Sequence, residues 1–206
     1  SEEGIYHLSI SASDGAGHSD KKEKQIIIDS QSPVIRQIDG LDGKYMKRFS
    51  WDYPEEVVIR DFTSCNCQIQ LDGALYSPGK EITAEGQHLL RVQATDAAGN
   101  MAEAKARFVI DHTAPEIIFY DIENAKIYED ERRFKIAVGN SEDEILEILI
   151  NGVPQVLKKG NKAYQFTVRE KNDYDVSVKA CDKAGNQRRS DIMFELVEKE
   201  TVLQKV

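Results

Sequence analysis

The sequence predicts an all-β protein made of tandem antiparallel β-sandwich modules. Three observations predict it. A heptapeptide recurs three times, as Ala12-Ser13-Asp14-Gly15-Ala16-Gly17-His18, Ala94-Thr95-Asp96-Ala97-Ala98-Gly99-Asn100 and Ala180-Cys181-Asp182-Lys183-Ala184-Gly185-Asn186. Each copy follows an alternating apolar run, such as Leu90/Val92/Ala94, with the period of a half-buried strand. A second landmark repeats as well: Ile28-Asp29-Ser30-Gln31-Ser32-Pro33 matches Ile110-Asp111-His112-Thr113-Ala114-Pro115. The step from Asp14 to Asp96 is 82 residues, and from Asp96 to Asp182 it is 86. A period of about 80–90 residues built from short strands is the size of a β-sandwich module and too long for a solenoid repeat. No amphipathic helical pattern of about 10–15 residues separates the strands, so nothing favours a parallel α/β sheet.

Taken in order, residues 1–31 supply two strands, near 5–13 and 24–29, around a turn. Two strands alone are marginal in water, so this hairpin belongs either to a module whose other strands are missing or to a pairing with another chain. Residues 32–113 form a module of about seven strands. Val34–Ile38 opens it, Val57–Phe62 is β-branched and aromatic, and Cys65–Leu71 alternates up to Asp72-Gly73, a hairpin signal. The strand before Asp96 and the run Lys105–Ile110 close it. Residues 114–197 repeat the plan, with Asn151-Gly152 as the matching hairpin signal. Residues 142–150 resemble a helix by composition but align with a strand of the previous module. The longer interval between Asn151 and Asp182 places an insertion near 157–165, expected to be loop. Residues 198–206 read as a tail or linker.

The bulk properties narrow the function. The 206 residues carry a net charge of -9, which disfavours binding to phosphate backbones and suits solubility. No apolar run approaches a membrane span. The start, Ser1-Glu2-Glu3-Gly4, has no signal-peptide character. Three cysteines make no disulfide framework: Cys65 and Cys67 share a strand face with Ile69 and Leu71 as small apolar residues, and Cys181 has outward parity. Scattered histidines and the absence of a nucleophile elbow, phosphate loop or zinc motif leave no catalytic constellation.

The repeated motif reads as a turn device. Asp14, Asp96 and Asp182 follow an inward apolar triplet, where a carboxylate accepts backbone N–H groups of the turn. Gly17, Gly99 and Gly185 suit a left-handed backbone, and Asn100 and Asn186 close the second and third copies.

The pattern Gly86-x-x-x-Leu90-x-Val92-x-Ala94-x-Asp96-x-Ala98-Gly99-Asn100, followed by Phe108-Val109-Ile110-Asp111-x-Thr113-Ala114-Pro115, resembles the tandem immunoglobulin-like domains of bacterial secreted and cell-surface proteins. It is also similar to hyalin-type repeats. The resemblance implies an immunoglobulin-like sandwich in an extracellular or wall-associated, non-catalytic array, acting as stalk, spacer or interaction segment. The alternative is an adhesin or a carbohydrate-binding accessory module of a secreted hydrolase. The first copy departs from the pattern with His18, and the third lacks the Asp-x-Thr-x-Pro ending.

Two candidate sites remain. Trp51 and Tyr53 share a parity within an aromatic cluster and are candidates for a glycan or protein contact, with packing in the core or against a strand as the favoured alternative. Asp111, Glu142 and Asp143 are candidates for a Ca²⁺ site near a linker, because acidic oxygen donors suit a hard cation; otherwise no cofactor is expected.

Overall fold

The structure, a computed structural model, describes residues 2–36, 38–52 and 59–199. Among the described residues every regular element is a β-strand apart from one short 3-10 turn, Asp39–Leu41. The chain divides into two compact units, residues 1–44 with 48–110, and residues 45–47 with 111–206.

The first unit begins with a hairpin, β1 (Gly4–Ser13) and β2 (Ser19–Ile28), in unbroken register from Gly4↔Ile28 to Ser13↔Ser19. Strand β2 starts five residues before the expected position. The charged run Asp20-Lys21-Lys22-Glu23-Lys24 conceals it, because the ladder is exposed and needs no apolar alternation there. Leu8 and Ile10 are 46% and 61% exposed, whereas their repeat equivalents Leu90 and Val92 are fully buried.

The module proper holds β3 (Val34–Ile35), β4 (Lys44–Met46), β5 (Ile59–Arg60), β6 (Cys65–Leu71), β7 (Ala74–Leu75), β8 (Gly86–Asp96) and β9 (Met101–Ile110). Strands β7, β6, β8 and β9 lie side by side, and β3 pairs with β5. The first strand is shorter than expected: it ends at Ile35, and Ile38 is buried at the start of the 3-10 turn. Residues 57 and 58 of the expected 57–62 strand lie outside the described residues. The β6–β8 register, Cys65↔Asp96 to Leu71↔Leu90, sets the motif aspartate opposite the start of β6. Cys65 and Cys67 do share the Ile69/Leu71 face, half-buried. Beneath this sheet Phe49 and Phe108 stand 4.5 Å apart between ring centres.

The second unit has β10 (Ile117–Tyr120), β11 (Lys126–Tyr128), β12 (Arg132–Val138), β13 (Glu144–Ile150), β14 (Val153–Pro154), β15 (Ala163–Val168), β16 (Asn172–Cys181) and β17 (Gln187–Leu196). Its two sheets run β10-β12-β15 and β11-β17-β16-β13-β14. Between them lies a core that includes Phe134, Ile136, Ile148, Val176, Val178, Phe194 and Leu196. Strand β13 explains the helix-like composition of 142–150. Its register shifts between Ile145 and Glu147, and this bulge turns both Ile145 and Ile148 inward at a spacing of three. Part of the expected loop insertion is strand: β15 pairs with β12 and sets Phe166 against Phe134 at 5.5 Å. Both expected hairpin turns form with two positive φ angles, Asp72/Gly73 at 52° and 82° and Asn151/Gly152 at 51° and 75°. Turns of this hand match the twist of the flanking strands.

Candidate functional site

The recurring heptapeptide forms the β8–β9 and β16–β17 turns. In the first of these the Asp96 N–H donates to the Asn100 carbonyl at 3.0 Å, and the Gly99 N–H donates back to the Asp96 carbonyl at 3.2 Å. Asp96 Oδ1 accepts the Ala98 and Asn100 N–H groups at 2.9 and 2.8 Å. Gly99 has φ +96°, a conformation that a side chain disfavours. Asp14 and Gly17 repeat all of these bonds in the exposed hairpin, and in the third copy Asp182 and Gly185 repeat the two backbone bonds and the Asn186 N–H bond to Asp182 Oδ1. The aspartates and glycines therefore do what the sequence predicts.

The asparagines do more. Asn100 Nδ2 donates to Asp96 Oδ2 at 2.8 Å and also to the backbone carbonyl of Asp29 at 3.0 Å. Asn186 Nδ2 donates to Asp182 Oδ2 and to the Asp111 carbonyl, both at 2.8 Å. Asp29 and Asp111 are the aspartates of the second repeated landmark, so in each unit the turn at the far end of the module holds the linker that leads into it. Each linker is also shaped locally: Asp29 Oδ1 accepts the Gln31 N–H at 3.0 Å, and Asp111 Oδ1 accepts the Thr113 N–H at 2.8 Å. In the first copy His18 Nδ1 contacts Asp14 Oδ2 at 2.9 Å. An imidazole reproduces the turn bond, but a single ring N–H cannot serve both acceptors as an amide NH₂ does.

Around the first linker three carboxylates converge. One oxygen from each of Asp29, Asp61 and Asp96 lies within 4.8 Å of the others. Asp61 sits in the β5–β6 connection, where its Oδ1 accepts the Thr63 N–H at 2.8 Å and the Thr63 hydroxyl at 3.0 Å. Thr63 Oγ1 in turn accepts the Ala97 N–H at 3.3 Å, tying this connection to the β8–β9 turn. Burial works to raise the Asp96 carboxyl, but Asn100 and the turn N–H groups hold it below the usual range. Cys65 borders the cluster: burial first, and then Asp61, Asp96 and Asp29, push its thiol up. A cleft of about 380 Å³ opens beside it, lined by Glu3, Asp29, Arg60 and Asp61 among others.

The second unit holds a related set. Asp143, only 5% exposed, lies in the β12–β13 connection, topologically equivalent to that of Asp61. Burial raises its carboxyl, as do the charges of Asp182 and Asp111, against smaller opposing effects from Lys162 and the Asn140 N–H. Of the expected trio Asp111, Glu142 and Asp143, Asp111 and Asp143 line one hollow, and the charge of Asp182 from the turn motif also reaches Asp143. Glu142 instead pairs with Lys183, which holds its carboxyl below the ordinary range.

Trp51 is 2% exposed, and its backbone N–H donates to the Tyr76 hydroxyl at 3.0 Å. A ring so enclosed offers no face to a ligand, so the surface contact expected of it gives way to a place in the core. Tyr53 lies outside the described residues.

Sequence reading alone missed Asp29, Asp61 and the second donor of each asparagine. A signal existed for Asp29, which occupies the same place in its landmark as Asp111. Asp61 carried none, since nothing in Ile59-Arg60-Asp61-Phe62 sets it apart.

No family model matches the chain, and no curated protein does. Among solved structures, the fibronectin(III)-like modules of Clostridium thermocellum CbhA are similar over 84% of this chain and 100% of theirs, with 12% identity and a TM-score of 0.37. The I67-I69 fragment of titin is similar over 95% of this chain and 75% of its own, with 10% identity and a TM-score of 0.45. The EC1-4 region of Drosophila N-cadherin is similar over 96% of this chain and 58% of its own, with 12% identity and a TM-score of 0.39. At these values the function is not addressed, and the fold rests on the strand order and the two cores.

Proposed function

We propose that this chain is a non-catalytic, immunoglobulin-like array that serves as a stalk or spacer in a secreted or cell-surface protein. The observation that carries the reading is the paired clamp of Asn100 on Asp29 and Asn186 on Asp111. Here both hydrogens of each amide are spent on the turn and on the linker backbone. A linker held to its own module cannot peel from it freely, which suits a segment that carries load or holds another domain at a distance.

Pulling single molecules of the chain from its two ends tests this. The reading expects two separate unfolding events, and a lower rupture force for the first unit in Asn100→Ala. Unfolding at negligible force, or forces unchanged by that substitution, overturns it. The adhesin alternative loses Trp51 as a contact residue, since that ring is in the core. A glycan array probed with the whole chain tests what is left of it, and saturable capture of a defined sugar would make that alternative the better reading.

A further inference from the structure

We propose that Asp29, Asp61 and Asp96 bind a hard divalent cation of the calcium class, which ties the incoming linker to the β5–β6 connection and to the β8–β9 turn. The proposal deepens the clamp reading above and rests on it.

Four observations carry it. The ligand oxygens lie within 4.8 Å of one another. Oxygens on opposite sides of one Ca²⁺ stand about 4.6–5.2 Å apart, since each bond is about 2.3–2.6 Å, so the group is of a size to share one ion. The three carboxylates come from three separate stretches of chain, and among the described residues none of them is in an ion pair. Arg60 lines the adjoining cleft without an ion pair to any of them among the described residues.

The next observation is independent of the clustering. Asp29 Oδ2 is sealed from solvent and accepts no hydrogen bond. A buried carboxylate oxygen without a donor is costly, and a cation held by its neighbours satisfies it. Its partner oxygen is already committed to Gln31.

The last is recurrence. In the second unit Asp111 and Asp143, from the equivalent linker and connection, line one hollow, and Asp143 is buried. The donor group is three carboxylates, which suits Ca²⁺ rather than a thiophilic metal.

The test uses the whole chain, stripped with chelator and titrated with Ca²⁺ by calorimetry, alongside thermal unfolding. Saturable binding with Kd at or below about 1 mM, the weak end for extracellular modules, is expected, together with a rise in Tm. Asp61→Asn and Asp29→Asn should each weaken that binding at least tenfold, with circular dichroism confirming a native fold. Asp143→Asn, as control, should leave the Asp61-dependent heat in place. Two variants guard against one failing to fold. No saturable heat by about 10 mM Ca²⁺, well above that range, or full binding in both Asp61→Asn and Asp29→Asn, overturns the proposal. So does tighter binding of Zn²⁺ that Cys65→Ala abolishes. The clamp itself is judged separately, by the effect of Asn100→Ala in chelator, so a failed cation site and a failed clamp give different results.

Discussion

The Asn100 side-chain amide donates to the backbone carbonyl of Asp29, a residue 71 positions earlier, at 3.0 Å while also closing its own turn on Asp96. One NH₂ group thus joins a local turn to a distant linker. Asn100→Ala removes both bonds and leaves the Asp29 carbonyl and Asp96 Oδ2 each short of a donor. A loss of about 1–3 kcal/mol in the stability of the first unit is expected, read as a lower denaturant midpoint at an unchanged slope. Asn100→His, which copies the first repeat, should keep the turn and lose only the linker bond, giving a smaller loss.

This clamp shows what the sequence discloses. The aspartate and glycine of the motif act within five residues, so their roles follow from local turn chemistry. The alternation before Asp96 fixes Leu90, Val92 and Ala94 as core for the same reason. The acceptor of Asn100 and the convergence of Asp61 with Asp29 depend on how distant strands meet, and residue order does not encode that locally. For Trp51 the sequence left contact and core packing open, because an irregular segment has no periodicity from which to infer facing, and its burial decides for the core. Strand β15 was hidden because an insertion that pairs with a sheet looks like any other insertion.

Trp51 follows from its burial. Trp51→Ala should cost about 3–5 kcal/mol as a core truncation, and the wild-type tryptophan fluorescence should be blue-shifted and poorly quenched by iodide. A red-shifted, readily quenched spectrum would return the ring to the surface.

The exposed hairpin makes the opposite forecast. Among the described residues the hydrogen bonds at its base lie in the linker, where Glu3 meets Ser30 and Gln31 and Asn100 meets Asp29. Removing residues 1–28 should leave both units folded, with two-dimensional NMR spectra that superimpose away from the linker. Loss of cooperative unfolding would show that the hairpin is part of the core.

His88 introduces a pH dependence into the first unit. Its ring is 8% exposed and stacks on Phe108, with Nδ1 2.8 Å from Asp72 Oδ2 and Nε2 2.8 Å from the Ala84 carbonyl. Both nitrogens face acceptors, an arrangement that only the doubly protonated ring satisfies. Burial opposes that charge, but the bonds to Asp72 and Ala84 prevail and lift the folded pKa above the ordinary value. The resulting stabilisation is complete below the unfolded pKa of about 6.5 and is lost as pH rises through the folded one. Denaturant midpoints across this range should fall with rising pH in the wild type, and the His88-linked part of that fall should vanish in His88→Gln.

Asp143 gives the second unit a separate dependence. Burial, Asp182 and Asp111 all raise its carboxyl, so the folded protein resists its ionisation more than the unfolded chain does. An acid raised on folding costs nothing below its unfolded pKa of about 3.9, and the cost grows as pH climbs through the unfolded value toward the folded one. In chelator near neutral pH, Asp143→Asn keeps the shape of the side chain and removes the buried charge. The substitution should therefore raise the melting temperature of the second unit at pH 7, and the gain should shrink as the pH falls toward 4. A loss of stability at pH 7 would mean that the ionised carboxylate is stabilised by its surroundings after all.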